Sequence, residues 1–378
     1  MSNASRREYI ALLREHYQKS TRYIRSLILY ELTRNLEIHR KHAIRLMNAI
    51  AGPKKSPGRK STYTPEVKEA LKRFWLGSRQ MCSKKLKESM EDWLPMFDCP
   101  EPIKIELRKM SPATMDRALV TARANGRRKR NTGTVPNRRL KNIIPVKPLD
   151  WNVKELGHVE AVTVAHCGDS MSGVFAWSLT MTDVLSGWTE NRAMWGKSGK
   201  GVIDSLDDIQ VSIPFSLKSF SCDNGNEFLN HQLKHYLKIP LQRGRPYKKN
   251  DQCHVEQKNY THVRDFFGYD RIETKEVIEL MNDVYGNEWS LLNNFFIPQF
   301  KLLRKTRVGA RYKREYLAPR TPYKRILESS EVSQETKAQL YQLFTSLNPF
   351  ELQKMIELKL HRIYKLMKED KLNKRQTA

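Results

Sequence analysis

Apolar residues recur at helical spacing in two segments near the start of the chain, 23–33 (YIRSLILYELT) and 38–50 (IHRKHAIRLMNAI). In the second, Ile38, Ala43, Leu46 and Ile50 share one stripe, which predicts an amphipathic helix after a turn at Asn35-Leu36. A Pro/Gly/Lys linker spans 52–62, and Thr64, Pro65 and Glu66 then provide an N-cap, a fixed first-turn φ and an acid for the positive helix end. That helix should run to about residue 76, and Ser83 and Ser111-Pro112 open two more. From residue 151 the period falls to two. Val- and Thr-rich runs at 158–166, 174–183 and 187–195 predict three strands, and Ser186-Gly187 turns the chain before the third. A helix at 201–210 precedes a strand at 217–222 that stops at Asp223-Asn224-Gly225, and helices are expected at 227–237 and 253–267. Two polar helices fill 333–370, the second with Leu352, Ile356, Leu360 and Ile363 on one stripe.

An antiparallel meander followed by strands alternating with helices is the element order of a ribonuclease-H-like core. The expected organisation is multidomain: a helix-turn-helix at 6–51, a second helical DNA-binding unit at 63–125, a basic linker at 126–150, an α/β core at 151–290, and a basic, partly helical region at 291–378.

Charge separates these regions. Lys and Arg outnumber Asp and Glu by 34 to 14 in residues 1–150 and by 19 to 8 in 291–378, whereas 151–290 holds 15 against 19. The net charge of +27 implies a polyanionic partner, with double-stranded DNA foremost. An acidic segment between basic flanks suits carboxylates used for metal chemistry. No run approaches the roughly 18 apolar residues of a membrane helix. Five scattered cysteines form neither a disulfide framework nor a zinc pattern, which points to a reduced, cytoplasmic setting.

His39, Arg40, His42 and Arg45 crowd the first half of the second helix, where a recognition helix would meet the major groove. Arg59 in Pro57-Gly58-Arg59 suits a minor-groove arm. Asp223 ends a buried strand, a position that can face a ligand crevice. Glu256 sits in the first turn of a helix entered from a basic loop that carries Arg245, Lys248 and Lys249, with Lys258 just beyond; these four are expected phosphate contacts. The 293–325 stretch interleaves aromatics with cations, which suits a DNA backbone.

The stretches TVAHCG (163–168), TMTDVLSGWTE (180–190), DNGNEF (223–228), RPYKKND (245–251) and HVEQKN (254–259), extended by GYDR (268–271), KTRVGA (305–310) and RTPYKRIL (320–327), resemble the bacterial insertion-sequence transposases with a retroviral-integrase-like core. The resemblance implies an Asp, Asp, Glu triad that binds two Mg²⁺ (or Mn²⁺) for DNA strand cleavage and strand transfer. It also implies a homo-oligomer on the element's terminal repeats and a bacterial, nucleoid-associated location. Asp223 matches the second acid and Glu256 the third, both as metal ligands. Val162 stands where the first Asp belongs, and Glu160, two residues earlier on the same side of the strand, is the nearest substitute. Two readings follow: a transposase-type polynucleotidyl transferase, or a catalytically decayed relative that occupies element ends without cleaving and needs no metal.

Overall fold

Alternation along one strand sets the architecture. In β1 (His158–Ala165), Val159, Ala161 and Ala165 join an apolar cluster with Leu179, Met181 and Phe220, whereas Glu160, Val162 and Val164 turn to the opposite side. The computed structural model describes residues 3–49, 62–124, 153–223, 225, 227–228, 231–244 and 252–376. The chain divides into two compact units, 1–62 and 63–378.

The first unit is a trio of helices, α1 (Asn3–Lys19), α2 (Arg22–Leu36) and α3 (Arg40–Asn48). Glu37, at φ 51°, ends α2 in the left-handed region while its N–H donates to the Thr33 carbonyl. Tyr17, Ile28, Leu29, Leu32, Ala43 and Met47 form the core, with Ile38 and Leu46 packed against it. Ile50 lies outside the described residues.

The second unit begins with α4 (Pro65–Gly77), α5 (Ser83–Trp93), α6 (Glu101–Lys109), α7 (Pro112–Ala118) and α8 (Val120–Ala124). Thr64 and Ser111 cap α4 and α7 through their side chains, as their sequence suggests. These helices do not form the separate unit expected at 63–125. Phe74, Trp93 and Leu107 share one core with Phe266, Trp289, Phe296 and Ile356, and Trp93 Nε1–H donates to the Phe296 carbonyl at 2.9 Å. The expected linker at 126–150 lies outside the described residues.

β1 is the centre of a mixed sheet ordered β3-β2-β1-β4-β5. β2 (Ala176–Asp183) and β3 (Thr189–Trp195) extend it antiparallel, whereas β4 (Ser219–Cys222) and β5 (Leu241–Arg243) run parallel. Every residue of β2 is buried. Its polar positions are satisfied on the side away from the apolar cluster: Ser178 meets His166 Nε2 at 2.8 Å, and Thr180 accepts from Asn191 at 2.7 Å. α9 (Gly199–Ser212) and α10 (His231–Leu237) cover the apolar face through Val202, Leu206, Ile209 and Leu233.

The single helix expected at 253–267 is instead α11 (Cys253–Glu256), a wide π-type turn at Asn259–Arg264, and α12 (Asp265–Phe267). The wide turn buries both His262 and Val263, and the His262 ring stands 4.9 Å from Trp289. α13 (Lys275–Asp283) follows, then the hairpin β6 (Leu302–Val308) and β7 (Arg311–Tyr316), and then α14 (Pro322–Glu328), α15 (Gln334–Ser346) and α16 (Pro349–Gln376). Of the expected stripe on α16, Ile356 and Ile363 are fully buried, with Leu352 and Leu360 packed alongside. Among the described residues no helix is long and apolar enough to cross a membrane.

Candidate active site

The parallel register of β1 and β4 pairs Ala161 with Cys222. The next step along both strands sets Val162 level with Asp223, at the carboxyl end of β4. Asp223 Oδ1 accepts the Gly225 N–H at 2.9 Å. Burial and the nearby Glu227 carboxylate push the Asp223 pKa up to about 6, against the opposing pull of the Gly225 N–H and Lys197.

Glu227 is the residue that sequence reading passed over. Its carboxylate is buried, accepts from Thr163 Oγ1 on β1, and pairs with Lys197 Nζ at 3.0 Å. The Lys197 ammonium also sits over the Trp177 ring at 4.7 Å. Gly225 leaves room for this carboxylate: a Cβ at that position would fall 2.4 Å from Glu227 Oε2, so the Glu227 side chain would have to move. The signal was an acid four positions after Asp223, at the expected start of a helix.

Glu160 has a different task from the expected substitute ligand. It is 2% exposed, and its Oε2 accepts the backbone N–H groups of His254 at 2.9 Å and Val255 at 3.1 Å. Its Oε1 meets His254 Nδ1 at 2.9 Å. The carboxylate therefore caps α11 from the sheet and fixes the turn that carries Glu256. Glu256 itself is exposed, and its N–H donates to the Gln252 carbonyl at 3.0 Å. Burial raises the Cys253 thiol pKa to about 12, so it offers no thiolate. His166 is buried against Ser178 and is held neutral, its pKa lowered to about 3 by burial and by Arg264.

The resemblance implies a pair of Mg²⁺ ions here. Such ions need near-octahedral oxygen ligands. Val162 presents hydrocarbon beside Asp223, and the Glu160 oxygens are engaged by α11. Among the described residues no three His, Cys, Asp or Glu side chains gather as a metal site. The residues present do not fit a two-metal cage.

The expected DNA contacts divide into three groups. His39, Arg40, His42 and Arg45 are all exposed on the first unit. His39 caps α3, accepting the Lys41 N–H at 3.2 Å, so it precedes the helix. Arg59, Arg245, Lys248 and Lys249 lie outside the described residues. Lys258, an expected phosphate contact, is instead 7% exposed and donates to Gln299 Oε1 at 2.5 Å. The turn after α11 points it inward, and burial drives its pKa well below the usual lysine range.

No family model matches the chain. Among solved structures, the catalytic core domain of BIV integrase is similar at 18% identity, covering 46% of this chain and 95% of that one with a TM-score of 0.28. Among curated proteins, the uncharacterized protein y4rM of Sinorhizobium fredii (strain NBRC 101917 / NGR234) is 35% identical across 86% of this chain and 96% of its own length, and the chain belongs to the same family as that protein.

Proposed function

We propose that the chain is a DNA-binding relative of the polynucleotidyl transferases whose strand-cutting centre is interrupted at Val162. The observation that carries this reading is the register that sets Val162 level with Asp223 while Glu160 is committed to the first turn of α11. The β3-β2-β1-β4-β5 order, antiparallel on one side of β1 and parallel on the other, supports a ribonuclease-H-like ancestry. The basic flanks and the exposed Arg40, His42 and Arg45 support duplex DNA as the partner. On this reading the chain occupies element ends as a homo-oligomer in the bacterial nucleoid. It contributes binding and positioning, and Glu160 still holds the helix of the third acid in place.

The test is a strand-cleavage and strand-transfer assay on terminal-repeat DNA with Mg²⁺ or Mn²⁺. The unmodified chain should bind without cutting, and Val162→Asp should gain metal-dependent cutting. Cutting by the unmodified chain that disappears in Asp223→Asn would overturn the reading.

A further inference from the structure

Among the described residues, the hairpin β6–β7 is a largely uncovered ribbon. Leu303 is 63% exposed, Val308 61% and Tyr312 53%, and every residue of β7 is exposed. Two strands alone are marginally stable in water, so an uncovered ribbon of this length calls for something to cover it. Its charge indicates what. Residues 302–316 hold six Lys and Arg against Glu315 alone, a net of +5. Lys305 lies directly across from Arg314, and a like-charge cross-strand pair is destabilising unless an anion offsets it.

The ribbon has a built tip and a built root. At the tip Val308 pairs with Arg311 across Gly309-Ala310, and Gly309 takes φ 59°, the pattern of a II′ hairpin turn. At the root the Leu317 N–H donates to the Lys301 carbonyl at 2.9 Å, and Gln299 bridges to Arg320. Gln299 is the acceptor of Lys258, two residues beyond Glu256, so the ribbon is anchored to the segment that follows α11. Lys305 is also close enough to Cys253 at the start of α11 to oppose the rise in its thiol pKa. The ribbon therefore springs from beside α11.

We propose that β6–β7 enters the major groove of duplex DNA, where its cations meet phosphates and base edges next to α11, the turn that carries Glu256. This rests on the DNA-binding reading above and assigns that binding a specific element. Strands about 4.8 Å apart that carry long side chains fit a groove ~12 Å wide and exceed one of ~6 Å. A second copy of the chain is a poor occupant, because two ribbons of net +5 repel.

The experiment measures binding of the full chain to a 30-base-pair duplex (a probe length chosen at about three helical turns) by fluorescence anisotropy across a salt series. The triple variant Arg304→Ala, Arg307→Ala, Arg314→Ala should lower the magnitude of the log K against log salt slope by about 2.7, from ~0.9 per phosphate contact. Replacing the same three residues with Lys should retain the slope. Methylation of guanine N7 in the major groove should interfere with binding, whereas methylation of adenine N3 should not. An unchanged slope in the Ala variant, loss of slope in the Lys variant, interference at adenine N3 alone, or a change in oligomeric state in place of a change in slope would each overturn the proposal. If the unmodified chain shows no salt-dependent duplex binding, the functional reading falls as well. If it binds and only the ribbon variants behave as wild type, the ribbon assignment alone is lost.

Discussion

Glu160 grips the first turn of α11 through His254: one carboxylate on the central strand takes the His254 N–H and the Val255 N–H on Oε2 and His254 Nδ1 on Oε1. Hydrogen bonds to a buried charged acceptor contribute about 1.5–3 kcal/mol each. Glu160→Ala should therefore cost about 3 kcal/mol or more, because it strands two backbone donors in the interior. Glu160→Gln keeps an acceptor oxygen and should cost less. Urea unfolding followed by tryptophan fluorescence measures both, and equal stability of the two variants and the parent would exclude a capping role.

Asp223 makes a pH-dependent contribution whose sign is opposite to that of a salt-bridged acid. Its native pKa of about 6 lies above the unfolded value near 3.8, so the folded state holds the proton more tightly. The group imposes no penalty below about pH 4. The penalty grows between pH 4 and 6 and reaches up to about 3 kcal/mol above that range, from 1.36 kcal/mol per pKa unit. Asp223→Asn removes the charge and keeps an acceptor for Gly225 N–H. The variant should be more stable than the parent at pH 7 and equal to it at pH 4. Thermal unfolding at the two pH values gives the comparison, and an advantage that persists at pH 4 would point to a cause other than ionisation.

Val162→Asp should lower stability in the absence of a metal. A second carboxylate would stand level with Asp223, whose charge is already disfavoured by burial and by Glu227. Like charges raise one another's pKa and strain the folded state. The expected result is a lower melting temperature in chelator and a rise on adding Mn²⁺ that exceeds the parent's. Equal responses to Mn²⁺ would mean that an acid at position 162 does not complete a metal site with Asp223.

The three meander strands were legible because their alternation is long, and β2 and β3 were found to within two residues of the expected runs. β5 has three residues, too few for any period to register. The break in the helix at 253–267 follows from burying His262 against Asn191 and Trp289, partners 71 and 27 positions away. Asp223 and Glu256 were singled out by motif as expected metal ligands, whereas Lys258 misled because a cation next to a basic loop looks solvent-facing. Its actual partner, Gln299, is 41 residues further on. An amphipathic helix reveals that it needs a partner and not which one, so the helices at 63–124 read as a separate module.

Trp93 tests that last point. Its ring meets Phe350 at 5.0 Å and Phe296 at 6.2 Å, and its Nε1–H binds the Phe296 carbonyl. Trp93→Ala should cost about 3–5 kcal/mol by cavity formation. Removing residues 1–124 should leave the core insoluble, whereas removing 1–62 should not. A soluble, cooperatively folding 125–378 fragment would refute the shared core.

The first unit should unfold on its own. Among the described residues its core is six buried side chains, a small store of hydrophobic stabilisation. All seven tryptophans lie beyond residue 62, at 75, 93, 151, 177, 188, 195 and 289. Tryptophan fluorescence is therefore blind to the first unit, whereas far-ultraviolet circular dichroism sees helices of both. Met47→Ala empties the centre of the trio, where Met47 is fully buried, and should cost about 2–4 kcal/mol. The early loss of ellipticity on heating should then move to lower temperature while the fluorescence transition stays in place. DNA affinity should fall in the same temperature window, because Arg40, His42 and Arg45 depend on α3 for their spacing. If both probes shift together, the two units fold as one and the division at residue 62 is not thermodynamic.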